Sequence, residues 1–192
     1  MVDVSLTIGM VGLIEHVDHI TTQSFKHAGD AIYVIGKAED DFGGSELQKM
    51  ELGEIRGKAP AIDLYVEKER QNQVLQAIKE GVVSSATDVS EGGFLVALAK
   101  CLFGTNFGAK IEMSGEDLIK ECFSETPSRF IISVPKDATN RFEEIVTDAI
   151  CIGEVTQSPE ILIEDKKGSI VLQEKVSLLE EIWKGAIPWL LK

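Results

Sequence analysis

Apolar positions along the chain fall into runs with two different periods, and these runs predict the elements. Ala31-Ile32-Tyr33-Val34-Ile35-Gly36 has the length and β-branched content of a buried strand. The earlier run from Thr7 to Glu15 is apolar and holds Gly9 and Gly12, which predicts a strand whose backbone is bulged or closely approached. Between 62 and 80, Leu64, Val74, Leu75 and Ile78 stand among charges at approximately helical spacing. Gly81 to Asp88 reads as a short strand, followed by a glycine turn and an apolar helix from Phe94 to Phe103. Residues 108–113 predict a strand, with Ser114 as the cap of a helix reaching 122. Arg129 to Val134 predicts another strand, stopped by Pro135. Asp137 to Ala149 predicts a helix with Phe142, Ile145, Val146 and Ala149 on one side, ahead of the segment Cys151 to Val155. A hairpin from Glu160 to Leu172 turns at Lys166-Lys167-Gly168, and a terminal helix starts near Val176. Alternating helices and strands that include a hairpin imply a mixed sheet, so the expected class is α+β, layered α/β/α.

Length and charge narrow this picture. The 192 residues are enough for one well-buried core, expected over 30–192 with an N-terminal arm over 1–29. Lysine plus arginine at 19 against aspartate plus glutamate at 32 leaves a net charge of −13, which gives little material for the basic face that nucleic acid needs. No apolar run approaches the ~20 residues that span a bilayer, and Met1-Val2-Asp3 opens no signal-like segment. Neither nucleic acid nor membrane is expected as a partner. Cys101, Cys122 and Cys151 form no CxxC pair and are odd in number, which points to a reducing, cytoplasmic setting. Each is embedded in apolar sequence without a neighbouring histidine and is expected to be a buried, unreactive thiol.

Two glycine turns are the local motifs with a chemical mechanism behind them. One is Phe42-Gly43-Gly44-Ser45-Glu46 and the other Asp88-Val89-Ser90-Glu91-Gly92-Gly93, each ahead of sequence that forms a helix. Glycine admits close approach of the main chain to a ligand, and unpaired amides at a helix start favour phosphate or carboxylate oxygens. The competing reading is structural: Ser45 and Ser90 cap helices, and Gly43, Gly44, Gly92 and Gly93 permit tight turns. Neither turn matches the P-loop or the dinucleotide fingerprint. Asp41, Glu46, Asp88 and Glu91 have the chemistry to hold Mg²⁺ or a general base, and equally that of solvated carboxylates in first helical turns. His16 and His19 have a spacing that clips a metal, without a later motif to complete the site. Trp183 and Trp189, near the end, are expected to pack a terminal helix onto the body.

Taken in order, five segments carry a family resemblance: Ile8 to Glu15, Gly29 to Gly36, Gly43-Gly44-Ser45-Glu46, Asp88 to Gly93, and Phe123-Ser124-Glu125-Thr126-Pro127-Ser128-Arg129-Phe130. Together they make the chain resemble the C-terminal region of phosphoribosylformylglycinamidine synthase, within the aminoimidazole ribonucleotide synthetase-related superfamily. The resemblance implies a non-autonomous C-terminal-type domain preceded by the last strand of an ATP-binding-type domain. In complete form such a synthase converts formylglycinamide ribonucleotide, ATP and glutamine-derived ammonia to formylglycinamidine ribonucleotide in purine biosynthesis, with ATP and Mg²⁺ as cofactors. Its implied partners are the upstream ATP-binding-type domain, a glutaminase and a small bridging subunit. The family's catalytic residues lie upstream, so none is carried over. Gly43, Gly44, Ser45, Glu46, Asp88, Ser90, Glu91, Gly92 and Gly93 become candidate ligand-cleft residues, and the isolated chain is expected to be inactive. A structural or auxiliary nucleotide-binding module is the alternative. Thr87 stands where a histidine often precedes the second turn, and Val4-Ser5-Leu6-Thr7 replaces a proline-rich approach.

Overall fold

Strand β1 (Ala31–Ile35) is buried at all five positions because helices cover both of its faces. It is the third strand of a seven-stranded sheet in the computed structural model, which describes residues 9–114 and 116–190. The sheet order is β2 (Ser85–Asp88), β4 (Phe130–Val134), β1, β5 (Ala149–Thr156), β3 (Gly108–Met113), β6 (Glu160–Asp165) and β7 (Ile170–Lys175). Every neighbouring pair is antiparallel except β3 and β6, which run parallel. Strands β1, β2, β3 and β6 therefore point the same way and end at one edge of the molecule. The class is α+β with a mixed sheet, as the alternation of elements predicts.

One face of the sheet carries Ile32, Val34, Ile111, Ile131, Ile161 and Ile163 against helix α3 (Gly93–Leu102), with α4 (Leu118–Phe123) and α6 (Val176–Leu190) beside it. The other face carries Tyr33, Ile35, Ile132 and Val134 against α2 (Leu64–Lys79) and α5 (Thr139–Ile145). This second helical layer covers only the β4–β1 part of the sheet. Beyond it β3 alternates buried and exposed residues, and Lys110 Nζ pairs with Glu164 at 2.9 Å across the open face. Phe94 and Phe142 are fully buried. Each such side chain contributes about 1.5–3 kcal/mol through removal from water. The Tyr33 hydroxyl donates to Glu143 at 2.7 Å while its ring tilts against Phe142, with centroids 4.9 Å apart.

Several local expectations are corrected. Residues 9–14 form no strand: Met10, Val11 and Leu13 are more than 90% exposed and pair with no strand among the described residues. Residues 7 and 8 of that expected strand lie outside the described residues. The chain reaches the body at Thr22, whose carbonyl accepts from Ala86 N–H on the outer edge of β2, and Phe25 enters the core. Helix α2 is capped by Asp63, whose Oδ1 accepts from Tyr65 and Val66 amides, but it buries Val74 and Ala77, leaving Leu64 74% exposed. Asp117, not Ser114, caps α4, accepting from the Lys120 amide at 3.0 Å. Helix α5 stops at Ile145 because Ala149 has to pair with Ile35 as the first residue of β5. In α6, Trp183 packs against Phe103 with centroids 6.3 Å apart and lies under Lys100, while the side chain of Trp189 is outside the described residues.

Cys101 and Cys122 are buried, and desolvation pushes their thiols up to about 12 and about 11. Cys151 is exposed, contrary to expectation, because β5 lies past the reach of α2 and α5. A thiol reagent at pH 8 should accordingly modify one cysteine in the native chain and three after denaturation; rapid labelling of Cys151→Ser protein would contradict this assignment. Phe142→Ala should cost about 3–5 kcal/mol by urea unfolding. Leu64→Ala, at a position where the apolar pattern predicts core, should stay within about 0.5 kcal/mol of the wild type.

Candidate functional site

Both glycine turns lie at the edge where the co-directional strands end. The first precedes α1 (Glu46–Leu52) and is wound tightly on itself. Ser45, 1% exposed, accepts from the Gln48 amide at 3.2 Å and donates to the Phe42 carbonyl at 2.9 Å. The Gly44 amide is shared between the Arg56 carbonyl and Gln48 Oε1. A Cβ on Gly43 would collide with the Lys58 carbonyl, so the requirement for glycine there comes from a chain crossing. The second turn leaves β2 at Asp88 and opens α3. Gly92 is the N-cap residue with φ +81°, and no side chain caps the helix, so Ser90 contributes only its carbonyl, which accepts from the Gly93 amide at 2.9 Å. Gly93, with φ +74°, sits against the Phe123 backbone, where a Cβ would approach to 2.7 Å.

A third segment, Phe123 to Arg129, joins the two. Glu125 Oε1 accepts from the Glu46 amide and from the Gly92 amide, each at 2.8 Å. One carboxylate oxygen thus ties the start of α1 to the start of α3, where both helix dipoles favour negative charge. Around it, Ser124 Oγ donates to the Glu39 carbonyl at 2.6 Å, and Thr126 Oγ1 accepts from the Glu39 amide at 2.9 Å. The Glu125 amide donates to the Asp41 carbonyl at 3.3 Å. Arg129 Nη1 donates to the Ser124 carbonyl at 3.1 Å, and Arg70 Nη1 to that of Ser128, a non-glycine residue at φ +61°. Arg70 also pairs with Asp148 at 2.7 Å beside a cleft of about 410 Å³.

Sequence reasoning singled out the two turns and missed what closes them. Glu125 lies within a motif used above only for resemblance; the available signal was a carboxylate flanked by two hydroxyl residues between an apolar helix and an apolar strand. The nine candidate residues divide by exposure. Gly44, Glu46, Asp88, Ser90 and Glu91 are exposed, Gly43 and Gly92 half-buried, Ser45 and Gly93 buried. The amides of Gly44, Ser45, Glu46, Gly92 and Gly93 are all paired within the chain. These five amides are therefore not free to receive a phosphate oxygen. Among the described residues no group of three or more His, Cys, Asp or Glu side chains is placed to hold a metal ion. His16 and His19 face each other with ring centroids 5.6 Å apart, and His16 pairs with Asp18 at 3.1 Å.

The fold recurs in solved structures. Thermotoga maritima PurL complexed with FGAR is 20% identical, with a TM-score of 0.74 over 85% of this chain and 30% of its own. Phosphoribosylformylglycinamidine synthase II from Thermotoga maritima gives 20% identity and a TM-score of 0.69 over 85% of this chain and 28% of its own. The hydrogenase maturation protein HypE in complex with ATP gives 14% and 0.59 over 83% of this chain and 54% of its own. This chain therefore spans less than a third of the length of the PurL structures it matches. At these identities the likeness is one of fold. The family model described as AIR synthase related protein, C-terminal domain, matches residues 27–166, from just before β1 through β6. With both glycine turns, α1 to α5 and the Glu125 brace inside that span, the chain belongs to the family of AIR synthase related C-terminal domains.

Proposed function

We propose that this chain is the C-terminal domain of a phosphoribosylformylglycinamidine synthase, a cytoplasmic enzyme of purine biosynthesis, and that it supplies one wall of a cleft without the catalytic half. The observation that carries this reading is coverage: the fold follows PurL over 85% of this chain while accounting for 30% of the PurL chain. In the complete enzyme, ATP and Mg²⁺ would activate an amide oxygen that ammonia then displaces. Those steps belong to residues outside this chain. Residues 30–192 are the domain proper in this reading, and 1–29 the end of a preceding ATP-binding-type domain. The exposed Met10, Val11, Leu13 and Ile14 support that division, since an apolar segment in water is the expected remnant of a sheet belonging to another unit. A glutaminase and a small bridging subunit are the further partners.

The nine turn residues are proposed as the cleft wall. With the amides of Gly44, Ser45, Glu46, Gly92 and Gly93 occupied, they would meet a ligand or the neighbouring domain through the exposed side chains of Glu46, Asp88, Ser90 and Glu91. Glu125 is then a positioning residue that holds both turns at fixed separation. Paired amides favour this scaffold role over a free-standing nucleotide module.

Purified chain supplied with ammonia, ATP, Mg²⁺ and formylglycinamide ribonucleotide should show no turnover, and activity should appear on adding an upstream fragment of the same enzyme. Turnover by the chain alone would overturn the reading. Glu125→Ala should lower stability by about 1–3 kcal/mol. It should also speed hydrogen exchange at the Glu46 and Gly92 amides, whereas Glu125→Gln, which keeps an acceptor, should recover part of the protection. Unchanged exchange at both amides in Glu125→Ala would show that the brace does not hold the turns.

A further inference from the structure

Arg129 is a buried cation without an ion pair among the described residues. The residue is 4% exposed, and among the described residues its Nη1 has the single acceptor Ser124 O and its Nε has no hydrogen-bond partner. Desolvation is the largest influence on the guanidinium and disfavours its charged form; Cys122 and Glu121 oppose that more weakly. Glu121 is itself engaged, since its Oε2 accepts from the Ser114 amide at 3.2 Å. A buried cation held by one neutral carbonyl lacks the counter-charge that such groups require.

Arg129 lines a cavity of about 610 Å³ on the α3 face of the sheet, where β1 and β3 end and β5 begins. Its wall includes Val34, Ile111 and Ile152 from three adjacent strands, with Phe94 from α3. Lys37, Lys120 and Lys166 also line it, and none of the three is ion-paired among the described residues, whereas Lys49, Lys110, Lys136 and Lys184 are. Glu112, Glu116 and the half-buried Glu121 line the same cavity, so the cations exceed the carboxylates there by one, in a chain of net charge −13. Lys37 and Lys166 are exposed like Glu112 and Glu116, so these rim charges are screened by solvent, and the buried guanidinium is the fixed charge of the cavity. The volume lies in the range of small-molecule sites, which combine apolar walls with a few fixed polar groups. Neither glycine turn lines this cavity.

We infer that this cavity is a binding site for a small organic oxyanion, a phosphate or carboxylate carried on a flat apolar body, with Arg129 and Lys37 taking the anionic group and Val34, Ile111, Ile152 and Phe94 the body. The inference does not rest on the synthase reading. A chain silent in every synthase assay still tests it.

The test is amide NMR titration of the full chain with phenyl phosphate, phenylacetate and benzyl alcohol. Phenyl phosphate or phenylacetate should shift the amides of Lys37, Met113 and Ile152, and the stronger of the two identifies the anionic group. Neutral benzyl alcohol should bind at least about tenfold more weakly, the ratio expected for loss of a charged hydrogen bond. Arg129→Gln should weaken the anion by a similar factor, and if that variant fails to fold, Lys37→Met with Lys166→Met should weaken it several-fold. Absence of shifts at those three amides, shifts confined to Glu46 and Gly92, or equal binding of benzyl alcohol would each overturn the proposal.

Discussion

A single carboxylate oxygen on Glu125 holds together the edge of the sheet where the proposed cleft lies. Its donors, the amides of Glu46 and Gly92, are 79 and 33 residues away in sequence, so each bond closes a long loop. Such contacts are entropically costly to form and favourable only once the sheet has brought their elements together. The sheet does so because β1 and β2 run the same way with β4 between them, so the turns after β1 and β2 and the segment before β4 converge. Ser124 and Thr126 then pin the backbone at Glu39, and the loop from 39 to 46 inherits its position from the connection between α4 and β4. The brace is therefore a consequence of topology and also the reason the two turns form one surface.

That origin explains what could be read along the chain. Strand β1 was legible because it is covered on both faces, which makes every residue apolar, and β4 because it neighbours β1. The glycines of both turns were legible as local conformational requirements. Glu125 was not, since nothing in a Ser-Glu-Thr stretch indicates that its carboxylate will meet amides from two other segments. The same limit applies to Arg129: its burial depends on α4 and the start of β4 closing around it, and a lone arginine before an apolar strand reads as surface.

The misread elements share another cause. Apolar sequence does not by itself imply a local partner: residues 9–14 are apolar and exposed, and Leu64 begins a helix whose first turn faces water. The apolar neighbours of Cys151 suggest an interior position, but β5 lies beyond α2 and α5 and only Val155 of it is buried. Ala149 continued a helical apolar stripe, but its pairing with Ile35 outweighed that periodicity. In each case the hydrophobic pattern was correct, and the error lay in assuming that one period extends to the end of the run.

Charge distribution gives the edge its asymmetry. On the turn side, Glu46, Asp88 and Glu91 are exposed beside the braced amides of Glu46 and Gly92, so that surface offers acceptors. On the α3 face of the same edge, Arg129 and three lysines meet around apolar walls, so that surface offers donors. The two are separated by little more than the Ser124–Arg129 segment, whose residues serve both: Glu125 closes the turns, and Arg129, anchored on the Ser124 carbonyl, enters the cavity. Displacement of that segment would move both surfaces together. Both surfaces are thus built on one stretch of backbone, which turns through the left-handed region at Ser128 and is held there by the Arg70 guanidinium on the Ser128 carbonyl.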